Sequence, residues 1–383
     1  MAAQQRRRAK ERLDLLYRGV ELPDILADAE GKRIQNASDW QQRRRGELLE
    51  LFRKHVYGRA PIEKPDRMSV ALNSSDLMMD NRAIRKCSTI AIEGPGGKLA
   101  IPFTVFIPAN ANQPVPLFLL INNRGPDAAD PNRNVKSGFW PVEQIIERGY
   151  ATAVFHVSHL DPDEHDGFQN GVHGVFDNKG ERSGDAWGTI GAWAWGASRV
   201  LDALEQDQAV DANRVAVIGH SRGGKTALWA AAQDERFAMA ISNNSGCTGA
   251  AISRQNQGEQ IEAINERFPH WFAANYKRFN GKESELPIDQ HMLLGLIAPR
   301  LLYVSSASAD AWADPAGEYS SLCFAEEVYR LYGFQVQSAA EMPEIGMQVS
   351  TERTGYHLRE GGHDLTEWDW QHFMDFADSR LRK

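Results

Sequence analysis

The chain contains 383 residues, of which 42% are hydrophobic and 25% charged, and it carries a formal net charge of −8 at pH 7. This composition is typical of a globular protein with a sizeable core, and it excludes a disordered tail or a coiled coil. The excess of Asp and Glu over Lys and Arg gives no basic field that would attract nucleic acid or an anionic membrane. No stretch approaches the roughly 20 apolar residues that cross a bilayer.

The N-terminus and the cysteines bear on the cellular compartment. Residues 1–8 are basic, but no apolar segment follows them, so we expect no intact signal peptide in this sequence. Removal of a leader peptide would leave the same pattern, so the compartment stays open. The three cysteines, Cys87, Cys247 and Cys323, are widely spaced. They allow at most one disulfide bond, and free thiols are the simpler prediction.

The first predicted element is a helix that begins near Ser38 and ends near Val56. Ser38 and Gln41 have the spacing of a capping box at its N-terminus. Apolar residues at helical spacing predict a buried stripe. That stripe consists of Trp40, Leu48, Leu49, Phe52 and Val56. The three consecutive arginines at positions 43–45 are expected on the solvated face of the same helix.

From about residue 85, short apolar segments alternate with helical patterns. Strands are predicted at residues 88–92, 101–107, 117–121, 151–157, 214–218, 238–242 and 301–304. Helices are predicted at residues 141–147, 186–206, 224–233, 317–332 and 368–381. The alternation indicates right-handed βαβ crossovers and therefore an α/β fold, with a doubly wound, mostly parallel sheet and helices on both faces.

Ligands of a doubly wound sheet bind beyond the carboxyl ends of its strands. The polar, glycine-rich segment of residues 160–182 follows one of these strands, and we expect it to form a wall of the site. No internal repeat, low-complexity linker or abrupt shift of composition divides the chain. We therefore expect a single structural domain, in which residues 1–84 form a helical extension packed on the α/β domain of residues 85–383.

Residues 214–229 contain the most informative motif of the sequence. Gly219-His220-Ser221-Arg222-Gly223 matches G-x-S-x-G, and it lies directly between an apolar strand and an alanine-rich helix. In that context the serine sits on a sharp turn, which requires glycine neighbours because side chains would prevent the close bend. The turn exposes the hydroxyl above the sheet, at a helix N-terminus that favours negative charge. We therefore predict that Ser221 is a nucleophile.

A serine nucleophile needs a base, and the base needs a carboxylate that orients it. In the α/β-hydrolase order, the acid and then the histidine follow the serine. His363 lies in a glycine-bracketed loop before the C-terminal helix and is the predicted base, whereas His291 and His372 fit structural roles better. Asp310 comes first after the last predicted strand and is the predicted acid. Asp314, the alternative acid, precedes a proline and the next helix, which favours its interpretation as an N-cap.

With these residues in place, the sequence resembles the glucuronoyl esterases, also called 4-O-methyl-glucuronoyl methylesterases, of the bacterial type. The resemblance spans about residues 210–375 and begins with Ser-Arg-Gly-Gly-Lys at 221–225. Further matches, in chain order, are Asn-Ser-Gly at 244–246, Gly-Glu at 258–259, Phe-Pro-His-Trp-Phe at 268–272, Asp-Gln-His at 289–291, Ile-Ala-Pro-Arg at 297–300, Asp-Ala-Trp at 310–312 and Gly-His at 362–363. The resemblance implies the α/β-hydrolase fold and hydrolysis of the ester between 4-O-methyl-glucuronic acid of glucuronoxylan and lignin alcohols.

The resemblance also implies roles for individual residues. Ser221 would be the nucleophile, His363 the base and Arg222 a group of the oxyanion hole. The residues implied to contact the uronic acid are Lys225, Glu259 and Trp312. Arg222 and Lys225 follow the serine at a helix start, where positive charge opposes the helix dipole, so their placement favours a functional role over exposed surface charge. Lys225 lies one helical turn from Ser221 and can therefore face the same pocket.

One position departs from the pattern of this family. Many members carry a catalytic Glu two residues before Gly246, where this chain has Asn244. An amide does not act as a carboxylate, so the acid must come from another loop, and Asp310 is the candidate. The departure concerns the acid and leaves the prediction for Ser221 unchanged. Cys247, close by, is interpreted as a small buried residue and not as a second nucleophile.

Two alternative functions stay open at this point. One is another carbohydrate esterase, such as an acetyl-xylan type, and the other is a non-catalytic carbohydrate-binding pseudo-esterase. An acetyl group offers nothing for an additional cation to recognise, which favours the uronate ester. The sequence lacks H-E-x-x-H, clustered metal ligands and a glycine-rich phosphate loop, so we expect no metal and no cofactor.

The expected partner is a glucuronate ester, either a small molecule or a lignin-linked polysaccharide. We expect no nucleic acid or membrane partner and a monomeric protein. The resemblance suggests that the protein is secreted or periplasmic in a bacterium.

Overall fold

A mixed sheet forms the centre of the molecule in the computed structural model, which describes residues 20–178, 180–337 and 341–382. The basic residues 1–8 lie outside the described residues. The strands are β1 (Met68–Met78), β2 (Ala83–Gly94), β3 (Gly97–Pro108), β4 (Val115–Asn122), β5 (Ala151–His156), β6 (Val210–His220), β7 (Met239–Asn243), β8 (Leu301–Ala307), β9 (Gln348–Ser350) and β10 (Thr354–Arg359). The helices are α1 (Arg45–Phe52), α2 (Val142–Glu147), α3 (Gly171–Phe176), α4 (Thr189–Leu204), α5 (Arg222–Gln233), α6 (Ile261–Arg267), α7 (Gln290–Gly295), α8 (Pro315–Leu331) and α9 (Glu367–Asp378).

The strand order is β1-β2-β3-β5-β4-β6-β7-β8-β10-β9. Neighbours between β5 and β10 pair in parallel, whereas β1, β2 and β3 at one edge and β9 at the other pair in antiparallel fashion. Leu117 and Leu119 of β4 belong to a hydrophobic cluster with α1, α4, α5 and α8, and Phe118 and Leu120 belong to another with α2 and α9. Helices therefore cover both faces, and the predicted doubly wound, mostly parallel α/β fold is confirmed.

The structure contains every strand predicted from residue 85 onwards, and it adds β1, β9 and β10, which the sequence pattern did not predict. All side chains of β1 are exposed or half-buried, and polar residues at positions 73–76 interrupt its apolar pattern, whereas β9 has only three residues. Because β1 ends before residue 84 and β2 includes it, residues 20–84 form strand as well as helix. The predicted loop at residues 160–182 includes the short helix α3. Within the described part of the chain, no helix is long and apolar enough to span a membrane.

The N-terminal helix has the predicted buried stripe but a different cap. All five predicted apolar residues are buried. The helix starts with a single α turn at Ala37–Asp39, and π-helical segments at Trp40–Arg44 and Arg53–Tyr57 flank α1. The N-cap is Asn36, whose side chain accepts a hydrogen bond from the backbone N–H of Asp39, so the predicted capping box at Ser38 is wrong.

The arginines at positions 43–45 are not all on a solvated face, which corrects the sequence prediction. Arg44 and Arg45 are buried. The guanidinium of Arg44 donates to the backbone carbonyl of Ile25, and that of Arg45 donates to the carbonyl of Ala232. The two guanidinium groups thus donate hydrogen bonds to main-chain carbonyls of distant segments. The local sequence pattern cannot show these acceptors and predicts exposure to solvent instead.

The sheet brings four loops together at one edge. The strands β6, β7, β8 and β10 are consecutive neighbours and run in parallel, so their carboxyl ends lie side by side. Ser221 and Asn244 directly follow the ends of β6 and β7. Asp310 and His363 lie in the loops after β8 and β10. The sheet topology thereby assembles residues that are up to 142 positions apart in the sequence.

A buried carboxyl group on α8 connects two of these loops. One oxygen of Glu318 accepts hydrogen bonds from the Ser245 hydroxyl at 3.2 Å and the Gly246 N–H at 2.9 Å. The other oxygen accepts one from the Ser306 hydroxyl at 2.6 Å. Ser245 and Gly246 follow β7, whereas Ser306 belongs to β8. Burial raises the pKa of Glu318 to about 8, with the nearby Asp310 charge acting in the same direction.

We predict that Glu318→Gln changes the pH dependence of stability. Glu318 in the folded protein keeps its proton up to about pH 8, whereas the unfolded chain releases it near the ordinary value of 4.5. Between these values the unfolded state binds fewer protons, so the free energy of unfolding falls as pH rises, by up to about 1.4 kcal/mol per pH unit from this group. The Gln variant cannot titrate and should show a shallower slope in urea unfolding between pH 5 and pH 8.

The control for this prediction is Glu327→Gln on the same helix. The Glu327 side chain is 40% exposed, so its substitution should leave the slope of the wild-type protein unchanged. Identical slopes in wild type and Glu318→Gln would contradict the assignment of a buried, protonated carboxyl at this position.

Candidate active site

Ser221 lies on a strained turn between β6 and α5. Its backbone has φ 57° and ψ −122°, and its N–H donates to the Asn243 carbonyl at 2.9 Å. The left-handed φ is unusual for a residue with a side chain and is held here by the surrounding structure. A Cβ atom at Gly219 would lie 2.0 Å from the Gly223 carbonyl oxygen, so the turn requires glycine at that position. The predicted nucleophile is thus presented on the tight turn that the motif indicates.

His363 contacts Asp310 and not Asp314. The Nδ1 atom of His363 lies 2.6 Å from Oδ2 of Asp310. Asp310 is buried, whereas the His363 side chain is 43% exposed. A proton on Nδ1 that is donated to the carboxylate leaves Nε2 free to accept one. Asp314 caps α8 by accepting a hydrogen bond from the Gly317 N–H at 3.0 Å, as its position before the helix predicts.

A cavity of about 320 Å³ brings the predicted site residues together. All seven residues predicted from the sequence line it, namely Ser221, Arg222, Lys225, Glu259, Asp310, Trp312 and His363. The other lining residues are Asn244, Ser245, Gly246, Arg267, Phe268, Trp271 and Ala313. Within the described ranges, no three His, Cys, Asp or Glu side chains are grouped so that they could hold a metal ion.

The Arg222 side chain is held between a carboxylate and two aromatic rings. One terminal nitrogen of its guanidinium forms an ion pair with Asp163. The guanidinium carbon lies 4.9 Å from the centre of the Trp271 ring and 5.3 Å from that of Phe268. Its Nε–H is buried and has no acceptor among the described residues. Asp163 belongs to the segment of residues 160–182, which thus contacts a wall residue of the cavity.

Lys225 is buried beside the cavity. Its ammonium group donates to the Ser245 carbonyl. Burial lowers the pKa of Lys225, while the nearby Glu259 and Glu318 carboxyl groups oppose that shift. The backbone N–H of Glu259 donates to the Trp312 carbonyl at 2.9 Å, which joins the two loops. Trp312 is 52% exposed and lines the cavity.

The sequence motif does not indicate that His220 contributes to the site. Its ring centre lies 4.5 Å from that of His363. Nδ1 of His220 contacts the Asn243 side-chain oxygen at 2.6 Å, and Nε2 contacts the Arg124 guanidinium at 3.1 Å. Arg124 has only donors, so Nε2 accepts and Nδ1 carries the proton. Burial, the adjacent His363 and Arg124 keep the pKa of His220 well below its usual range, so this ring is a neutral support for His363.

Asn244 has an unusual environment. The residue is buried, with φ 45°, and its backbone N–H donates to the Ser305 carbonyl at 2.8 Å. Neither its side-chain oxygen nor its side-chain nitrogen has a hydrogen-bond partner among the described residues, although the residue lines the cavity. Buried amides are normally paired, so the amide of Asn244 departs from the usual pattern.

The histidines and cysteines expected to be structural are buried or paired elsewhere. His291 is buried and contacts the Pro23 carbonyl at 3.0 Å. His372 contacts the backbone carbonyl of Trp368 within α9. Cys247 is fully buried, and burial raises the pKa of its thiol to about 12, so it carries no thiolate at neutral pH. Cys87 and Cys247 are free thiols.

Comparison with known proteins identifies the family. A family model described as "Glucuronyl esterase, fungi" matches residues 90–333. The glucuronoyl esterase of Solibacter usitatus is 37% identical, with a TM-score of 0.88 over 94% of this chain and 98% of that chain. A structure described as a promiscuous CE15 esterase from a marine bacterial metagenome is also 37% identical, with a TM-score of 0.86 over 94% and 96% of the two chains.

Curated sequences agree with these structures. Carbohydrate esterase MZ0003, from an unknown prokaryotic organism, is 37% identical over 94% of this chain and 89% of its own length. The 4-O-methyl-glucuronoyl methylesterase of Podospora anserina is 28% identical over 82% of this chain and 60% of its own length. The chain therefore belongs to the glucuronoyl esterase family, and it is a carboxylic ester hydrolase with the α/β-hydrolase fold.

Proposed function

We propose that the protein hydrolyses the ester between 4-O-methyl-glucuronic acid of glucuronoxylan and lignin alcohols through a Ser-His-Asp acyl-enzyme mechanism. The observation that carries this proposal is the presence of Ser221, the Asp310–His363 pair and the cations Arg222, Lys225 and Arg267 around one cavity. A serine hydroxyl with an imidazole that a carboxylate orients serves acyl transfer, and cations stabilise the negative charge that develops on the carbonyl oxygen. The monomeric state stays a prediction, and the secreted or periplasmic location stays a prediction from the resemblance.

In the proposed first step, Nε2 of His363 accepts the proton of Ser221 while Oγ attacks the ester carbonyl carbon. Asp310 holds Nδ1 of the imidazole and stabilises the imidazolium that forms. The tetrahedral oxyanion is stabilised by the positive charge of Arg222 and by the N-terminus of α5. The C–O bond to the alcohol then breaks, and His363 gives its proton to the departing oxygen. Water, activated by His363, hydrolyses the acyl-enzyme and regenerates Ser221.

The other cavity residues would recognise the sugar. The Lys225 ammonium is a donor and Glu259 an acceptor for hydroxyl groups, and Trp312 offers an amphipathic ring with an N–H donor at the rim. Burial of Lys225 strengthens its attraction to oxygen ligands because little water screens the charge.

A second candidate is broader activity on other carbohydrate esters. The observation that favours it is the 37% identity to the promiscuous CE15 esterase from a marine bacterial metagenome. Its active site would be the same Ser221-centred cavity. The two candidates differ in how strongly turnover depends on the uronic acid.

The proposed function predicts that the wild-type protein cleaves benzyl glucuronate faster than it deacetylates xylan. Ser221→Ala should lower turnover of benzyl glucuronate by about 10⁴-fold or more, because it removes the nucleophile. Released alcohol and released acetate are measured by chromatography under the same conditions. Faster release of acetate than of benzyl alcohol would contradict the uronate assignment and favour the second candidate.

The acid assignment predicts a large difference between two aspartates of one loop. Asp310→Asn should lower kcat by about 10³–10⁴-fold, because the amide no longer fixes the required tautomer of His363. Asp314→Asn retains an acceptor for the Gly317 N–H, so kcat should stay within about threefold of wild type. A large loss in Asp314→Asn together with near-normal activity in Asp310→Asn would reverse the assignment.

The environment of Lys225 predicts a pH-dependent KM for the uronate ester. Because burial lowers its pKa below the ordinary value of 10.5, Lys225 loses its proton at a lower pH than a surface lysine does. Only the protonated form is a cation, so KM should rise with pH. The rise should begin at a pH below 10.5, the ordinary pKa of a lysine. Lys225→Met should raise KM by about tenfold or more near neutral pH and abolish this dependence. A parallel rise of KM with pH in both proteins would exclude Lys225 as its source.

A further inference from the structure

Asp163 is the one carboxylate that contacts Arg222 within the described part of the chain. Its Oδ1 atom accepts two ring donors, the Trp271 Nε1–H at 2.7 Å and the His270 Nε2–H at 3.1 Å. Its Oδ2 atom contacts the guanidinium of Arg222. The two ring donors therefore fix the plane of the carboxylate, and that plane determines where Oδ2 meets the guanidinium.

The charge of Asp163 is maintained by this environment. Burial alone would raise the pKa of Asp163, but the hydrogen bonds from His270 and Trp271 and the charge of Arg222 outweigh it and lower the pKa. The carboxylate is consequently ionised at neutral pH. Nδ1 of His270 has no partner among the described residues, which agrees with an imidazole that is protonated on Nε2 and donates to Asp163.

The contacts of Arg222 define its geometry from two sides. Asp163 pairs with a terminal nitrogen, and the rings of Trp271 and Phe268 lie against the guanidinium. These contacts leave the buried Nε–H without an acceptor. An unpaired, buried donor beside the nucleophile costs free energy unless a bound molecule uses it. The ion pair and the two rings together hold the guanidinium in one orientation at the cavity.

We infer that Asp163 is a positioning residue, which holds the Arg222 guanidinium in the orientation that stabilises the oxyanion. The inference rests on the proposed role of Arg222 in the oxyanion hole. It assigns a function to the segment of residues 160–182: through Asp163, that segment sets the geometry of a catalytic donor without itself contacting the reacting atoms. A donor displaced by about 1 Å can lose about a hundredfold in rate.

The test is a double-mutant cycle with Asp163→Asn and Arg222→Ala, assayed with benzyl glucuronate. Asn keeps an acceptor oxygen for the two ring donors but loses the charge that holds Arg222. Asp163→Asn should lower kcat by about 10- to 100-fold and leave KM within about twofold. In the Arg222→Ala background the same substitution should change kcat by less than about twofold, since the group it positions is absent.

The matched control is Glu164→Gln. Glu164 is the exposed neighbour of Asp163 in the same segment, so this variant removes one negative charge at the same place in the chain. Its kcat should equal that of wild type. Asp163→Glu, which keeps the charge but displaces the carboxylate, is measured in parallel. It should also lower kcat by about tenfold or more, and only when Arg222 is present. It serves as the test variant if Asp163→Asn does not fold, as judged by its circular dichroism.

The outcomes separate this inference from the proposed function. An equal loss of kcat from Asp163→Asn in both backgrounds would show a structural role unrelated to Arg222 and would overturn the inference. The inference alone also fails if Arg222→Ala is strongly impaired while both Asp163 variants are fully active. Full activity in Arg222→Ala would overturn the proposed oxyanion role itself.

Discussion

The bend of the chain at Ser221 is the constraint on which the rest of the site depends. Its left-handed φ of 57° turns the end of β6 directly into α5, and the turn leaves no space for a side chain at Gly219. The bend fixes the hydroxyl above the carboxyl end of the sheet. Since β7, β8 and β10 follow β6 in order, the loop after β8 delivers Asp310 and the loop after β10 delivers His363 to the same side. The distance between acid and base is thus set by neighbouring strands and not by either loop alone.

The charges around the cavity are balanced in pairs. Arg222 and Lys225 lie in the first turn of α5, where the helix dipole disfavours positive charge. Both are compensated by carboxylates from remote segments, Arg222 by Asp163 and Lys225 by the nearby Glu259. Each pairing lowers the cost of keeping a cation away from water, and neither consumes all the donors of its cation. The site therefore retains positive charge that is directed at a ligand.

The sequence is sufficient to predict the parts of the molecule that depend on local pattern. Continuous apolar runs indicate β4 and β6, and the motif around Ser221 indicates the turn, because both signals lie within a few residues. The contact of Asp163 with Arg222 joins positions 59 residues apart, and no spacing in the sequence encodes it. Arg44 and Arg45 were assigned to solvent for the same reason, since their acceptors are carbonyls of distant segments. Strand β1 lies at a sheet edge and has no buried side chain, and the polar residues at positions 73–76 interrupt its apolar pattern.

The amide at position 244 explains how the loop after β8 can supply the catalytic acid without a second carboxylate nearby. The strands β7 and β8 are paired, and the hydrogen bond from the Asn244 N–H to the Ser305 carbonyl shows that their ends are aligned. A carboxylate after either strand would therefore reach the neighbourhood of His363. Two carboxylates at one site repel each other, and this repulsion favours the protonated form of one of them, which cannot stabilise an imidazolium. A neutral side chain at Asn244 leaves Asp310 as the charged partner of the base among the residues that the structure describes.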